Sequence, residues 1–529
     1  MFGKNTFIIA GIIFLTLLFT AAAGCIGSSP TDQNAVLKIA TPNEITEASY
    51  YGNYNFAQIT RVATPPLIQV DENGDYVGAV AKSWTVSSDG KTWEFTLDPN
   101  YQWSDGTSLT ADDVKFSLEY AAEKITTAPS WIKSAAITTS ENVVTISLAD
   151  PVYRLFGDLV AINIVPKHIW GSIDDPEEYI SAGPYVGSAA YYVQSVDTNS
   201  ATLVLAVNPA WKGDVPYYGT VELHWFATED AAILAMLGGE CDTYWKYGAS
   251  FPTSSVALLD SSEKFTTVET PSLQMSYVGF NTISSDAGSD LAFRKAIAYA
   301  LNYDELVEIG ASGYALSANS GFIPNGVPYY KNTPANIYNL ATAKLMLDAA
   351  GYKDVNGDGI REDTNGSALT VTLLTRDKVA GELIKEYLQK AGLKVEYKFA
   401  SDLNAWVELK DAHAYDIAYN GITAKGMMMD SGWATGYFAS NTLGAGKLQN
   451  VDDPVFLELC AKIATTPDGD ELKALISDLQ DYYSDNMPGI ALYWSTDVTP
   501  INTEIDGWYI SKATGILNEI NLLSMHPAN

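Results

Sequence analysis

A glycine-punctuated acidic loop carries the most legible chemistry in this chain. Asp354-Val355-Asn356-Gly357-Asp358-Gly359 offers oxygen ligands at loop positions one, three and five, with glycine at position six, where a calcium loop turns sharply. The twelfth position is Asn365, where such a loop wants a bidentate Glu. Asp354, Asn356 and Asp358 are therefore calcium candidates in a stretch that reads more readily as an Asp-rich surface turn. No cofactor is required by anything else in the sequence. Met427, Met428 and Met429 would suit a soft metal, but three flexible apolar side chains fit better as packing filler. His168 has no partner at metal-ligand spacing and reads as structural; His413 stands alone as well.

Hydrolysis finds little support. The adjacent pairs Asp112 with Asp113 and Glu362 with Asp363 cannot flank a substrate at the separation glycosidases need. Neither Gly-x-Ser-x-Gly nor His-Glu-x-x-His occurs. What recurs instead is aromatic. Tyr50, Tyr51, Tyr54 and Phe56 cluster just after a first strand, and Trp433-Ala434-Thr435-Gly436-Tyr437 follows Asp430 three residues on. Stacking surfaces without a nucleophile point to binding rather than turnover.

The elements that must position these residues are readable in places. Residues 36–40 and 143–148 alternate like half-buried strands. Ile68 and Val70, then residues 71–75 with Asn73-Gly74, then Tyr76 and Val77, make a hairpin signal. Residues 93–97 alternate again. Thr110 with Asp113 resembles a capping box, opening a helix that faces inward through Val114, Leu118, Ala121 and Ile125. Asp290 caps a helix with Leu291, Ile297, Ala298 and Leu301 on one face, which leaves Arg294 and Lys295 solvated. Asn339 caps a helix over residues 340–350. Residues 369–374, 383–390 and 393–399 give a strand, helix, strand order, which argues for a mixed or parallel α/β sheet. A late helix over 470–483 precedes a strand over 489–494, and residues 499–508 lead back toward the start of the fold.

The block "VGAVAKSWTVSSDGKTWEFTLDPNYQWSDGTSLTADDVKFSLE" resembles the signature of the extracytoplasmic solute-binding proteins that serve peptide/nickel-type ABC importers (family 5). "IVPKHIW", "SAGPYVGSAAYYVQSVDTNSATLVLAVNPAWKG", "ATEDAAILAMLGGECDTYW" and "DLAFRKAIAYALNYDELVEIG" continue the likeness along nearly the whole mature chain. The resemblance implies an α/β, two-lobed periplasmic-binding-protein type II fold with an extra small domain, mixed sheets and a ligand cleft between the lobes. It implies domain I from 36–62, 182–285 and 495–529, domain II from 63–181, and domain III from 286–494. It also implies capture of an oligopeptide or similar small solute by hinged lobe closure, delivery to a membrane permease, a monomer, and no enzymatic activity.

In that family a strand resembling residues 415–441 lines the cavity, and the Asp of Trp-x-x-Asp-Tyr holds a peptide's ammonium group. Here Trp433 and Tyr437 keep the aromatic pair, but Gly436 stands at the carboxylate position. Asp430 is the substitute at hand. The resemblance adds Tyr51, Tyr54 and Trp406 as further ligand-binding residues. Nickel-binding relatives have the same Trp–Tyr spacing without the Asp, so a metal chelate, completed by His413, is the alternative to a peptide; an oligosaccharide stacked on the aromatic residues is a third.

Composition fits an exported protein. The 529 residues are enough for roughly three domains, and 47% hydrophobic residues supply their cores. A formal charge of -32 disfavours nucleic acid and anionic membrane surfaces as partners. Residues 1–25 read as an export signal: Lys4, an almost wholly apolar run over 7–19, then Ala21-Ala22-Ala23-Gly24-Cys25. The end resembles a lipoprotein processing site, with Cys25 as lipid anchor, 26–35 as linker and the outer face of the cell membrane as location. The competing reading is an uncleaved anchor, and Gly-Cys-Ile-Gly before a polar linker resembles archaeal lipoproteins. Cys241 and Cys460 are expected to be separate thiols.

Overall fold

The computed structural model describes residues 32–528 apart from 47–48, 52–55, 57–58, 72–74, 126–127, 153–154, 182, 247–249, 260, 326–328, 364, 423–447, 467–468 and 512–513. The first strand, β1 (Asp32–Thr41), buries Leu37 and Ile39 completely. The hairpin of β2 (Ile68–Val70) and β3 (Tyr76–Gly78) leads to β4 (Ala81–Val86) and β5 (Thr92–Leu97). Then come helix α1 (Ala111–Lys124), β6 (Ala136–Ser140) and β7 (Val143–Ser147). These last four strands form a sheet ordered β4-β5-β7-β6. Asp113 accepts from Thr110 N (2.9 Å) and Thr110 Oγ1 (2.8 Å), so the cap signal at the head of α1 is realised. Val114, Leu118 and Ala121 are buried as the spacing predicts, and burying Leu118 alone contributes about 2 kcal/mol. Ile125 sits just past the helix end.

A five-stranded sheet follows from β8 (Tyr191–Asp197), β9 (Thr202–Val207), β10 (Tyr218–Trp225), helix α2 (Glu229–Leu237) and β11 (Thr243–Tyr244). Its order is β11-β1-β10-β9-β8, with β1 parallel to both β10 and β11. The chain then runs through β12 (Phe265–Phe280), α3 (Leu291–Ala300), β13 (Ala315–Ser317), α4 (Leu340–Ala349), β14 (Thr370–Thr375), α5 (Lys378–Lys390) and β15 (Lys394–Phe399). After α6 (Leu403–Asp411) come β16 (Ile417–Ile422), α7 (Pro454–Thr465), α8 (Asp470–Asn486), β17 (Gly489–Asn502) and α9 (Glu519–Ser524). The six-stranded sheet is β13-β17-β12-β16-β14-β15, and β14 pairs parallel with both β15 and β16. Side chains of α3, α4 and α5 share one core with it, those of α7 and α8 another.

Two long strands tie the molecule together. β12 and β17 pair antiparallel from Gly279 with Gly489 to Phe265 with Asn502. One end of this ribbon lies inside the six-stranded sheet. The other reaches β11, where Thr243 Oγ1 donates to the Pro500 carbonyl (3.0 Å), and Phe251 N donates to Val498 O (3.1 Å). The register shifts between Pro271 and Met275, midway along. Such an irregularity bends a strand pair and re-aims its side chains.

Three expectations change. Arg294 is buried at 8% exposure rather than solvated, because α3 packs on more than the face its apolar spacing marks. The helix expected from 383 begins at Lys378, where Asp377 Oδ1 accepts from Ala380 N. The strand expected over 489–494 continues to Asn502. No helix among the described residues is long and apolar enough to cross a membrane.

Candidate ligand-binding cleft

β14 and β16 run parallel, so their carboxyl ends open on the same edge of the sheet. From there β14 feeds α5 through Arg376 and Asp377, while β16 ends at Ile422. Crevices outside the carboxyl ends of parallel strands are where open α/β sheets receive ligands. Here the crevice has a volume of about 650 Å³, within the range usual for small-molecule sites. Its walls come from six separate stretches: Ser250 to Thr253, Gln274 and Ser276 of β12, Gly310 to Tyr314, Arg376 to Lys378, Tyr419 to Gly421 of β16, and Tyr493 to Asp497 of β17. The ribbon thus crosses it where β12 changes register.

Polar groups dominate the lining. Tyr419 Oη sits 3.1 Å from Tyr493 Oη and donates to Ser276 Oγ (3.2 Å). Burial raises the pKa of both phenols, that of Tyr419 well above the ordinary tyrosine range, so they stay neutral hydrogen-bonding groups. Asp377 is occupied by capping α5. Arg376 is exposed, and its guanidinium makes no hydrogen bond or ion pair among the described residues. A free guanidinium on a cleft wall presents a planar fork suited to a carboxylate. Asp497, by contrast, is only 9% exposed.

Of the residues singled out by sequence, Asp430, Trp433, Gly436 and Tyr437 lie outside the described residues, as do Met427 to Met429, Tyr54 and Cys25. The described chain stops at Ile422 on β16, whose Tyr419, Asn420 and Gly421 line the cleft. Tyr51 does not line it; its ring meets Trp170 edge-on at 5.4 Å, beside Tyr120. Trp406 is buried at 5% exposure on α6. His413 adopts a left-handed backbone, its carbonyl accepts from Asn281 Nδ2 (3.2 Å), and it is not a cleft residue. His168 Nε2 lies 2.6 Å from Asp105 Oδ2, an exposed structural pairing. Cys241 and Cys460 are free thiols, as expected, and burial pushes each up to about 12.

The acidic loop does bring oxygens together. Carboxylates of Asp354, Asp358 and Glu362 lie within 4.8 Å of one another, the one such group among the described residues. Glu362, at the ninth loop position, joins Asp354 and Asp358. Yet Asp354 already accepts from Gly357 N (2.7 Å) and Gly359 N (2.9 Å), Asp358 from Ile360 N (2.8 Å), and Glu362 from Val355 N (2.7 Å). Asn356 Oδ1 accepts from Asp358 N. The loop closes on its own backbone.

Comparison with known proteins accords with this geometry. Residues 75–444 match the model of the bacterial extracellular solute-binding proteins, family 5 Middle. A putative ABC transporter peptide-binding protein from Brucella ovis is 28% identical over 337 residues, 59% of this chain and 60% of that protein's length. The oligopeptide-binding protein AppA from Bacillus subtilis, solved with a nonapeptide, superposes with a TM-score of 0.73 at 19% identity, covering 94% of this chain and 100% of AppA. NikZ from Campylobacter jejuni, solved with Ni(L-His), gives 0.72 at 21% identity, covering 93% and 99%. The fold is the mixed α/β, periplasmic-binding-protein type II arrangement of those structures.

Proposed function

This chain belongs to the family 5 extracellular solute-binding proteins, and from that membership we propose that it captures an oligopeptide or similar small solute outside the cell membrane and delivers it to the permease of an ABC importer. The cleft carries the reading: about 650 Å³ of polar space at the carboxyl ends of β14 and β16, spanned by the ribbon that joins the sheets, with the free guanidinium of Arg376 on its wall. Two lobes connected by a bent strand pair close by rotation about it, and bound solute shifts that equilibrium toward the closed form. The permease would read the closed form. Among the described residues the lining holds no nucleophile–base pair, which favours binding over turnover.

The Trp433–Tyr437 stretch forms a further wall in this reading, with Asp430 beside it, and Cys25 carries a lipid that holds the monomer at the outer face of the membrane. Trp433→Ala should weaken solute binding at least tenfold with little change in unfolding; unchanged affinity would place the pocket elsewhere. A metal chelate is the second reading, favoured by Gly436 at the position where the resemblance leads one to expect a carboxylate. Native mass spectrometry of protein purified without refolding, paired with metal analysis, tests both. A co-purified peptide mixture is the expected result. Stoichiometric nickel would replace the peptide reading with the chelate one.

A further inference from the structure

Asn365-Gly366-Ser367 is the one Asn-x-Ser/Thr triplet, x other than proline, in the 529 residues. In a protein that works outside the cell such a triplet is an acceptor for an N-linked glycan when it stands on an accessible surface turn. The turn here is built around Asp363. Asp363 N donates to the Ser367 carbonyl (2.7 Å), and Gly366 N donates to the Asp363 carbonyl (3.0 Å). Asp363 Oδ1 accepts from Asn365 N (2.8 Å) and from Ser367 N (3.0 Å). All three backbone donors of the triplet are thus spent on one residue.

The two side chains that matter are left over. Asn365 and Ser367 are exposed, and neither the carboxamide nor the hydroxyl makes a hydrogen bond among the described residues. Gly366 between them takes a left-handed backbone (φ 82°), and a Cβ placed on it would meet nothing within 4 Å. The triplet therefore projects into open space. Asn356, the other asparagine of this acidic loop, is also followed by glycine but differs on both counts. Its Nδ2 donates to Asp358 Oδ2 (3.1 Å), its Oδ1 accepts from Asp358 N (2.8 Å), and two residues on it has a carboxylate where Asn365 has a hydroxyl.

The turn also stands clear of the cleft. It precedes the amino end of β14, whereas the cleft opens at the carboxyl end. Six strand residues at about 3.3 Å each put roughly 17 Å between those ends.

We propose that Asn365 is an N-glycosylation site, modified by a membrane oligosaccharyltransferase from a lipid-phosphate-linked oligosaccharide. In the transfer Asn365 Nδ2 forms a bond to the anomeric carbon, and the bond from that carbon to the phosphate oxygen breaks. The lipid phosphate leaves with the bonding electron pair, and the carboxamide gives up one proton to a base of the transferase. This depends on the chain being exported and is independent of which solute it binds. A polar glycan on the edge of the sheet away from the cleft shields that surface without obstructing solute entry.

The test is peptide mapping by mass spectrometry of the full chain purified from the membranes of the cells that produce it. The peptide containing Asn365 is expected to carry mass increments of hexose or N-acetylhexosamine units, with fragmentation placing them on Asn365. Asn365→Gln and Ser367→Ala should each abolish the increment. Ser367→Thr should keep it, and so should Asn356→Gln, which alters the same loop but not the acceptor. Thermal unfolding of Ser367→Ala against Ser367→Thr separates lost modification from a damaged turn. Asn365 recovered as free asparagine or as aspartate overturns the assignment, as does an increment that survives Asn365→Gln. Either result leaves the solute-binding reading untouched.

Discussion

The Arg294 guanidinium holds the Asn486 carbonyl through two donors, Nε at 3.0 Å and Nη2 at 2.8 Å. Asn486 is the last residue of α8, so the cation sits at the negative end of that helix. Nη1 donates to Gly288 O and Ser289 O, both at 2.8 Å, just ahead of α3. One side chain thus fastens the end of α8 to the entry of α3, and burial lowers its pKa from the ordinary arginine value. Arg294→Met leaves three carbonyls, that of Gly288 buried, without their charged donor. Charge-assisted hydrogen bonds contribute about 1.5–3 kcal/mol each relative to truncation, and the losses are not additive. Denaturant unfolding should show a loss of about 3 kcal/mol, with solute affinity little altered; a loss below about 0.5 kcal/mol would mean that the contacts are incidental.

Glu519 gives a pH signature. It is buried, accepts from Tyr101 Oη (2.7 Å) and Ala190 N (3.0 Å), and desolvation raises its pKa despite both bonds. Because the folded chain holds this proton more tightly than the unfolded one, the contribution to stability is fullest below the unfolded value near pH 4.3. It is lost as pH rises from there through the folded pKa, at a slope of at most about 1.4 kcal/mol per pH unit. Glu519→Gln removes the titration. The stability of wild type relative to Glu519→Gln should therefore decline as pH is raised from about 4 toward neutrality, measured by urea unfolding at each pH. A flat or rising difference would contradict the assignment.

The acidic loop should keep its shape without an ion. Asp354 uses both oxygens on backbone N–H groups, and Gly357 and Gly359 supply the positive φ values, 80° and 89°, that the turn requires. A calcium ion present at a hundred times its Kd would add about 2.7 kcal/mol to the folded state. Scanning calorimetry in chelator and in millimolar calcium should give matching unfolding midpoints. A clear rise with calcium, abolished in Asp354→Asn, would establish an ion site at Asp354, Asp358 and Glu362.

How much of this was legible depends on whether the signal was local. Thr110 with Asp113 and the cap at Asp290 are short-range patterns, and both were readable. The full extent of β12 was not, since Pro271 interrupts it; the structure accommodates a proline there because, among the described residues, β16 pairs with β12 from Met275 onward. Pro500 hides the end of β17 in the same way. The start of α5 was obscured by Gly381, a poor helix former. That glycine is needed because a Cβ would come within 2.6 Å of Thr375 Cγ2 and of Tyr397 Oη. Most of the cleft had no local signal; the resemblance marked only residues 415–441, of which Tyr419, Asn420 and Gly421 line it. Its six contributing stretches span from Ser250 to Asp497, and polar side chains such as Ser495 and Asn420 acquire meaning only once the strands are paired.

Arg376 supplies the most direct check on the cleft. Its side chain is exposed and makes no hydrogen bond or ion pair among the described residues, so removing the charge should leave folding nearly unchanged. A carboxylate met by a guanidinium is held through paired N–H···O bonds, which lysine's single ammonium cannot reproduce. Synthetic copies of whichever peptide co-purifies, prepared with a free or an amidated C-terminus, separate charge recognition from general contact. Calorimetry on Arg376→Met should show the free-acid peptide weakened by roughly tenfold to a hundredfold, the scale of a lost charge-assisted pair, while the amidated peptide is bound as by wild type. Arg376→Lys should recover only part of the difference, because the charge returns without the fork. Equal affinities for the free-acid peptide in wild type and Arg376→Met would remove the guanidinium from the binding surface.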